Sequence, residues 1–191
     1  MNRKQQRELL LAERTELTVV QRQQYTDAIL ASIKRLLKQQ PVGVLAFYWP
    51  IKGEIDCRDM AKELMLAGWQ LALPVIDESS RQLRFAHWTP ETKMKKGVWN
   101  IPVPISPQWL QPDIYLIPLV GFDDNGYRLG YGGGYYDRTL AAVNAPIKCV
   151  GIGLESARLT TFAAQDYDIP MDAIITEAAV YHHGPAVLKH A

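Results

Sequence analysis

Residues 42–49, VGVLAFYW, form a continuous apolar run. It is far too short to cross a membrane and shows none of the alternation of a strand with one wet face. Such a run belongs to a strand covered on both faces, so the chain must supply helices to both sides of a sheet. Residues 70–75, 114–120, 147–153 and 173–176 read in the same way, and residues 83–88 as a shorter strand.

The segments between carry helix signals. Residues 2–16 are rich in Arg, Gln, Glu and Leu, all good helix formers. Leu17 and Thr18 break that helix, and Thr18 with Gln21 makes a capping box for the next. Behind it Tyr25, Ala28, Ile29, Ser32, Ile33, Leu36 and Leu37 share one face, and Pro41 follows as a stop. Asp56 is placed to cap a third helix carrying Met60, Ala61, Leu64 and Met65, ended by Gly68. A last helix is expected over residues 135–143. Residues 121–126 form a turn around Asn125-Gly126, and residues 89–112, rich in Pro and Lys, a long irregular excursion of the sort that is usually functional. Strand, helix, strand order makes parallel sheets. The expectation is an α/β protein, a single-domain three-layer α/β/α sandwich with a mostly parallel central sheet. Residues 1–40 supply basic N-terminal helices, 42–177 the core and 178–191 a tail.

A length of 191 residues suits one domain. The net charge of +1 excludes a generic polyanion binder, but residues 1–40 hold eight basic and four acidic side chains. That points to a local anion site rather than a nucleic-acid groove. Cys57 and Cys149 are the only cysteines, which excludes a disulfide scaffold, and the charged start MNRKQQRELL has no signal-peptide core. The expectation from composition is a cytoplasmic protein with no nucleic-acid or membrane partner.

The chemistry concentrates in residues 128–138, RLGYGGGYYDR. Four glycines within five residues, between a strand and a helix, let backbone N–H groups turn together toward an anion, with the helix N-terminus behind them. Arg128 and Arg138 can add charge-assisted contacts to phosphate oxygens. Asp137 can hold a divalent cation bridging them, since Mg²⁺ favours one or two carboxylates plus phosphate. No Gly-Lys-Ser/Thr follows, so this is not a Walker loop. A connection in which the glycines merely permit tight packing is the bland alternative, made weaker by the flanking charges. His182-His183 lacks a third metal ligand, Cys57 has no histidine near it in sequence, and Ser79-Ser80 has no nucleophile-elbow context.

RLGYGGGYYDR resembles the signature of the 5-formyltetrahydrofolate cyclo-ligase family. Further marks agree in order: the basic N-terminal helix, YWPIKGEID, WNIPVP, LVGFDDNGYR and DIPMDAIITE, covering about residues 3–177. The resemblance implies a three-layer α/β sandwich that converts 5-formyltetrahydrofolate, ATP and Mg²⁺ to 5,10-methenyltetrahydrofolate, ADP and phosphate. It implies nucleotide contacts along Arg3, Lys4, Gln5, Gln6 and Arg7, where Gln6 stands at a position usually Leu, and along Arg128, Leu129, Gly130, Tyr131, Gly132, Gly133, Gly134, Tyr135 and Tyr136. It implies folate contacts from Trp49, Glu54 and the shared stretch Tyr131, Gly132, Gly133, Gly134 and Tyr135. Asp137 and Asp168 match its Mg²⁺ ligands, with Asp172 a nearby decoy. Phosphoryl transfer needs neutralised oxygens, a demand assigned to Arg128 and Arg138. The alternative readings are a sugar-phosphate isomerase or sensor domain and, with least support, a binding module built on the basic helix.

Overall fold

The computed structural model describes residues 1–160 and 162–184. Its helices are α1 (Arg3–Glu16), α2 (Val19–Leu37), α3 (Arg58–Leu66) and α4 (Tyr135–Ala141). The strands are β1 (Val44–Ala46), β2 (Gln70–Asp77), β3 (Gln82–His87), β4 (Met94–Lys96), β5 (Pro102–Pro104) and β6 (Trp109–Leu110) in the first part. The second part adds β7 (Ile114–Pro118), β8 (Gly121–Phe122), β9 (Arg128–Leu129), β10 (Lys148–Ile152), β11 (Ala173–Ile175) and β12 (Val180–His182). Eight strands make one sheet in the order β12-β11-β10-β7-β1-β2-β3-β6. The pairings that link β2, β1, β7, β10 and β11 are parallel, whereas β12 at one end and β3 and β6 at the other are antiparallel.

Period-2 alternation sorts the strand residues between two apolar layers. Leu45, Leu71, Leu73, Leu116, Val150 and Ile152 face Ile29, Ile33 and Leu37 of α2 and Met60 and Leu64 of α3. Ala46, Ala72, Tyr115, Ile117, Cys149 and Ile174 face the opposite way, toward Tyr136 and Leu140 of α4. Both faces are dry, which is why the strands read as unbroken apolar runs. The three-layer arrangement is the expected one, with a second layer thinner than the first. Helix α1 belongs to neither layer. Its Leu10 packs with Val120, Leu129 and Ala157 at the carboxyl edge of the sheet, beside the β8–β9 hairpin.

Thr18 and Gln21 form the expected capping box, and Asn2 with Gln5 forms another at the start of α1. Four local expectations change. Strand β1 covers only Val44–Ala46 of the apolar run. Val42 is exposed, and Asp113 caps the Val44 N–H, so the ladder starts late. Cys57, not Asp56, is the N-cap of α3, because the Asp56 carboxylate is taken up by the Arg58 backbone and guanidinium. The excursion at 89–112 contains the antiparallel ribbon β4–β5, closed by a turn in which Trp99 and Asn100 have φ of 55° and 60°. Strand β12 extends the sheet into the stretch read as tail, of which residues 185–191 lie outside the described residues.

Candidate active site

In open α/β sheets ligands gather beyond the carboxyl ends of strands where the winding direction reverses. Here that point lies between the neighbours β1 and β7, and a cavity of about 350 Å³ opens above it, within the range of small-molecule sites. Tyr48, Trp49, Ile51 and Glu54 reach it from the segment after β1, Leu73, Pro74 and Ile76 from the end of β2, and Pro118 from the end of β7. Residues 128–137 form a second wall, Arg3 and Arg7 of α1 a third, and Trp99, Ile101 and Pro102 of the ribbon overhang the mouth.

The glycine loop takes backbone shapes closed to most side chains. Gly132 and Gly134 have φ of +93° and +64°, and Gly134 is the N-cap of α4. A Cβ on Gly132 would lie 3.3 Å from the Arg7 guanidinium, whose Nε donates to the Gly130 carbonyl at 2.7 Å. Helix α4 has only seven residues, so its dipole is a minor source of positive potential and the arginines must supply most of it.

Those arginines are already paired. Arg128 is buried and donates to Asp137 Oδ1 at 2.8 Å and to the Ile169 carbonyl at 2.9 Å. Arg3 forms an ion pair with Asp168, donates to the Ala163 carbonyl at 2.8 Å and lies 4.7 Å over the Phe162 ring. Arg138 turns out of the cavity. It donates to the Gly133 carbonyl at 2.6 Å and to the Arg81 carbonyl at 2.8 Å, and so braces the loop from behind. Lys4, Gln5 and Gln6 also lie outside the lining. Lys4 is exposed, Gln5 serves the helix cap and Gln6 is buried.

Asp137 and Asp168 both line the cavity, and this pair of carboxylates beside an anion loop suits Mg²⁺, which takes its other ligands from phosphate and water. Among the described residues no group of three or more His, Cys, Asp and Glu could hold a metal ion. Asp172 accepts the Cys149 N–H at 2.6 Å and lies outside the lining.

The opposite wall is built around one carboxylate. Glu54 Oε1 accepts from the Tyr131 hydroxyl at 2.9 Å and Oε2 from the Ile51 N–H at 2.9 Å. Burial pushes its carboxyl above the ordinary range, while Ile51, Tyr131, Arg14 and Lys52 pull it back. Trp49 stands beside it, with the Arg58 guanidinium 4.7 Å over its ring.

Three other candidates lie elsewhere. Cys57 is buried with its thiol pushed up to about 12, which makes it unreactive. Ser79 serves the β2–β3 turn by bonding Asp77, and neither His182 nor His183 lines the cavity. Of the residues expected at the site, Trp49, Glu54, the glycine loop, Arg3, Arg7, Arg128, Asp137 and Asp168 come together along one cavity. The apolar floor of Leu73, Pro74 and Ile76 and the Trp99 overhang are not among the expected residues; for the overhang, the length of the 89–112 excursion is the available signal.

Residues 1–177 match the family described as the 5-formyltetrahydrofolate cyclo-ligase family. A 5-formyltetrahydrofolate cyclo-ligase of Haemophilus influenzae is 30% identical over 169 residues, covering 85% of this chain and 90% of that one. One from Escherichia coli K12 is 29% identical over 157 residues, covering 77% and 86%. The structure of a 5,10-methenyltetrahydrofolate synthetase from Mycoplasma pneumoniae superposes with a TM-score of 0.78 at 25% identity, covering 93% of this chain and 99% of that one. The NMR structure of the Aquifex aeolicus 5,10-methenyltetrahydrofolate synthetase gives 0.80 at 27%, covering 100% and 95%. No helix among the described residues is long and apolar enough to cross a membrane. With its signature loop lining the cavity and its whole core inside the match, the chain belongs to the 5-formyltetrahydrofolate cyclo-ligase family, a family of ligases.

Proposed function

We propose that this protein uses ATP to convert 5-formyltetrahydrofolate to 5,10-methenyltetrahydrofolate, with release of ADP and phosphate. One observation carries the reading: a single cavity is lined by the glycine loop with Arg3, Arg7 and Arg128 on one side and by Glu54 on the other, and Tyr131 belongs to both. The triphosphate lies along the loop amides and arginines. The pterin, whose amino group and ring N–H offer adjacent donors, meets the two oxygens of Glu54, with Trp49 and the tyrosines as apolar walls.

The formyl oxygen on N5 attacks the γ-phosphorus and ADP departs, leaving a phosphorylated imidate. N10 then attacks the activated carbon, gives up its proton and expels phosphate as the ring closes. The residues meet two demands: neutralising the phosphate oxygens, and holding N10 close to the carbon, which is an orientation effect. Arg128 lies at the loop and serves the first demand directly. Arg138 serves it by fixing the Gly133 carbonyl and with it the loop amides. Asp137 and Asp168 would hold Mg²⁺, which supplies charge neutralisation at the phosphates when bound. No protein nucleophile is needed. The reading places the enzyme in the cytoplasm as a monomer, and a reducing compartment suits its two buried free cysteines.

The test is direct. Purified protein with 5-formyltetrahydrofolate, ATP and Mg²⁺ should generate methenyltetrahydrofolate absorbance, and omitting ATP should abolish it. Absence of turnover together with tight binding of a sugar phosphate would replace this reading with a sugar-phosphate one.

A further inference from the structure

Arg14 is the most deeply buried arginine of the chain, 4% exposed, yet it lies on the last turn of a helix whose other face is solvated. Its Nη2 donates to the Leu119 carbonyl at 2.5 Å, which fixes the guanidinium, and its Nη1 reaches the Tyr131 hydroxyl oxygen at 3.4 Å. A guanidinium only donates, so the Tyr131 oxygen accepts from Arg14. The single hydroxyl proton is thereby committed to the other neighbour, Glu54 Oε1, at 2.9 Å. The polarity of the chain is set: Arg14 to Tyr131 to Glu54. A second arginine holds the frame. Arg22 donates to the Arg14 carbonyl at 3.0 Å and to the Gly53 carbonyl at 2.8 Å, tying α1 to the turn that presents Glu54. Gly53 sits at φ +74°, and a Cβ there would lie 2.8 Å from that Arg22 guanidinium, so the turn and the clamp fit only with glycine.

We infer that Arg14 is a positioning residue for Glu54: through the Tyr131 hydroxyl it fixes the carboxylate in its ionised, acceptor-only form. The need is physical, because burial disfavours the charge and a protonated Glu54 would present a donor where the proposed pterin also presents donors. The other titratable groups within reach of that charge do not replace Arg14. Tyr48, Tyr136 and Cys57 are raised by burial and stay neutral, and the Lys52 ammonium lies 5.3 Å over the Tyr131 ring face. That the carboxylate meets folate rests on the proposed function; the direction of the chain does not.

The experiment follows the Glu54 carboxyl carbon by NMR across a pH titration in ¹³C-Glu-labelled protein, the resonance being assigned by its loss in Glu54→Gln. In Arg14→Met the titration midpoint should rise by about one pH unit or more, the scale of a lost opposite charge at short range. Arg14→Lys should restore most of the parent value. A midpoint in Arg14→Met equal to the parent's, or raised equally by Met and Lys, overturns the role. Should Arg14→Met fail to fold, Tyr131→Phe cuts the same chain one link later and must also raise the midpoint; an unmoved value there overturns the proposal. In parallel, the KM for 5-formyltetrahydrofolate in Arg14→Met should rise at neutral pH and recover toward higher pH. A midpoint that moves while this KM stays put leaves Arg14 in place and removes folate from Glu54.

Discussion

The two ends of the cavity meet charge in opposite ways. At the glycine-loop end, positive and negative groups are paired with one another: Arg3 with Asp168 and Arg128 with Asp137. At the Glu54 end, one carboxylate is held by a backbone amide, a hydroxyl and an arginine one link away. On the proposed function, the first arrangement has to exchange partners when phosphates arrive, since phosphate and cation would compete for the same guanidiniums and carboxylates. The second is already held in place by its own hydrogen bonds. The difference teaches where rearrangement and where rigidity should be sought: loop and arginines at one end, a preset wall at the other.

The largest effect should come from destroying the adaptable end. In Gly132→Val a β-branched residue is forced to φ +93° and toward Arg7, so ATP affinity should fall about a hundredfold, the scale of losing one or two charge-assisted contacts. Calorimetric titration of a folded variant giving an unchanged ATP affinity would break the comparison at this end. Next comes the rigid end. Glu54→Gln puts an amide donor where a carboxylate oxygen accepted, and should raise the KM for 5-formyltetrahydrofolate roughly ten- to hundredfold while leaving that for ATP alone. A defect confined to ATP would move Glu54 to the other side.

A smaller effect separates the carboxylates. Asp137→Asn and Asp168→Asn should each raise the Mg²⁺ concentration for half-maximal rate by about tenfold, one charge-assisted ligand each. Asp172→Asn should leave it unchanged, because Asp172 serves the Cys149 amide. If Asp172→Asn alone raised the requirement, the pairing of metal with the adaptable end would be wrong. The smallest effect is a pH dependence. Because burial raises the Glu54 carboxyl, its protonation sets in above the ordinary carboxylate range as pH falls, and the folate KM should climb there, at most tenfold per pH unit. The KM for ATP should stay flat over the same window. Parallel pH profiles for both substrates would erase the distinction.

Much of this is legible in the sequence itself. Sheet strands announced themselves because both faces are dry, so periodicity was not needed to see them. The glycine loop was legible because glycine at φ +93° and +64° is chosen for the backbone itself. What stayed hidden depended on three-dimensional company. The β4–β5 ribbon carries Pro102 and Pro104 and turns through Trp99 and Asn100 at positive φ without a glycine, so it looked irregular. Arg14 stands two turns beyond Arg7 on about the same helix face, and what it holds is visible only in its burial against Leu119 and Tyr131. Arg138, beside the loop in sequence, faces the other way because carbonyls of Gly133 and Arg81 claim it.

The manner in which α1 is attached has a consequence for synthesis. This helix is synthesised well before its partners, Leu119, Gly130, Tyr131 and Asp168. Its one buried apolar side chain, Leu10, also waits for Val120, Leu129 and Ala157. Until translation passes residue 168, the N-terminal helix has no complete dock, and its arginines remain in water. The layers can form from their own contacts as they emerge, whereas the wall that joins α1 to the glycine loop is completed only once Asp168 is available. A nascent chain stalled before that point would therefore be a sheet without one wall of its cavity.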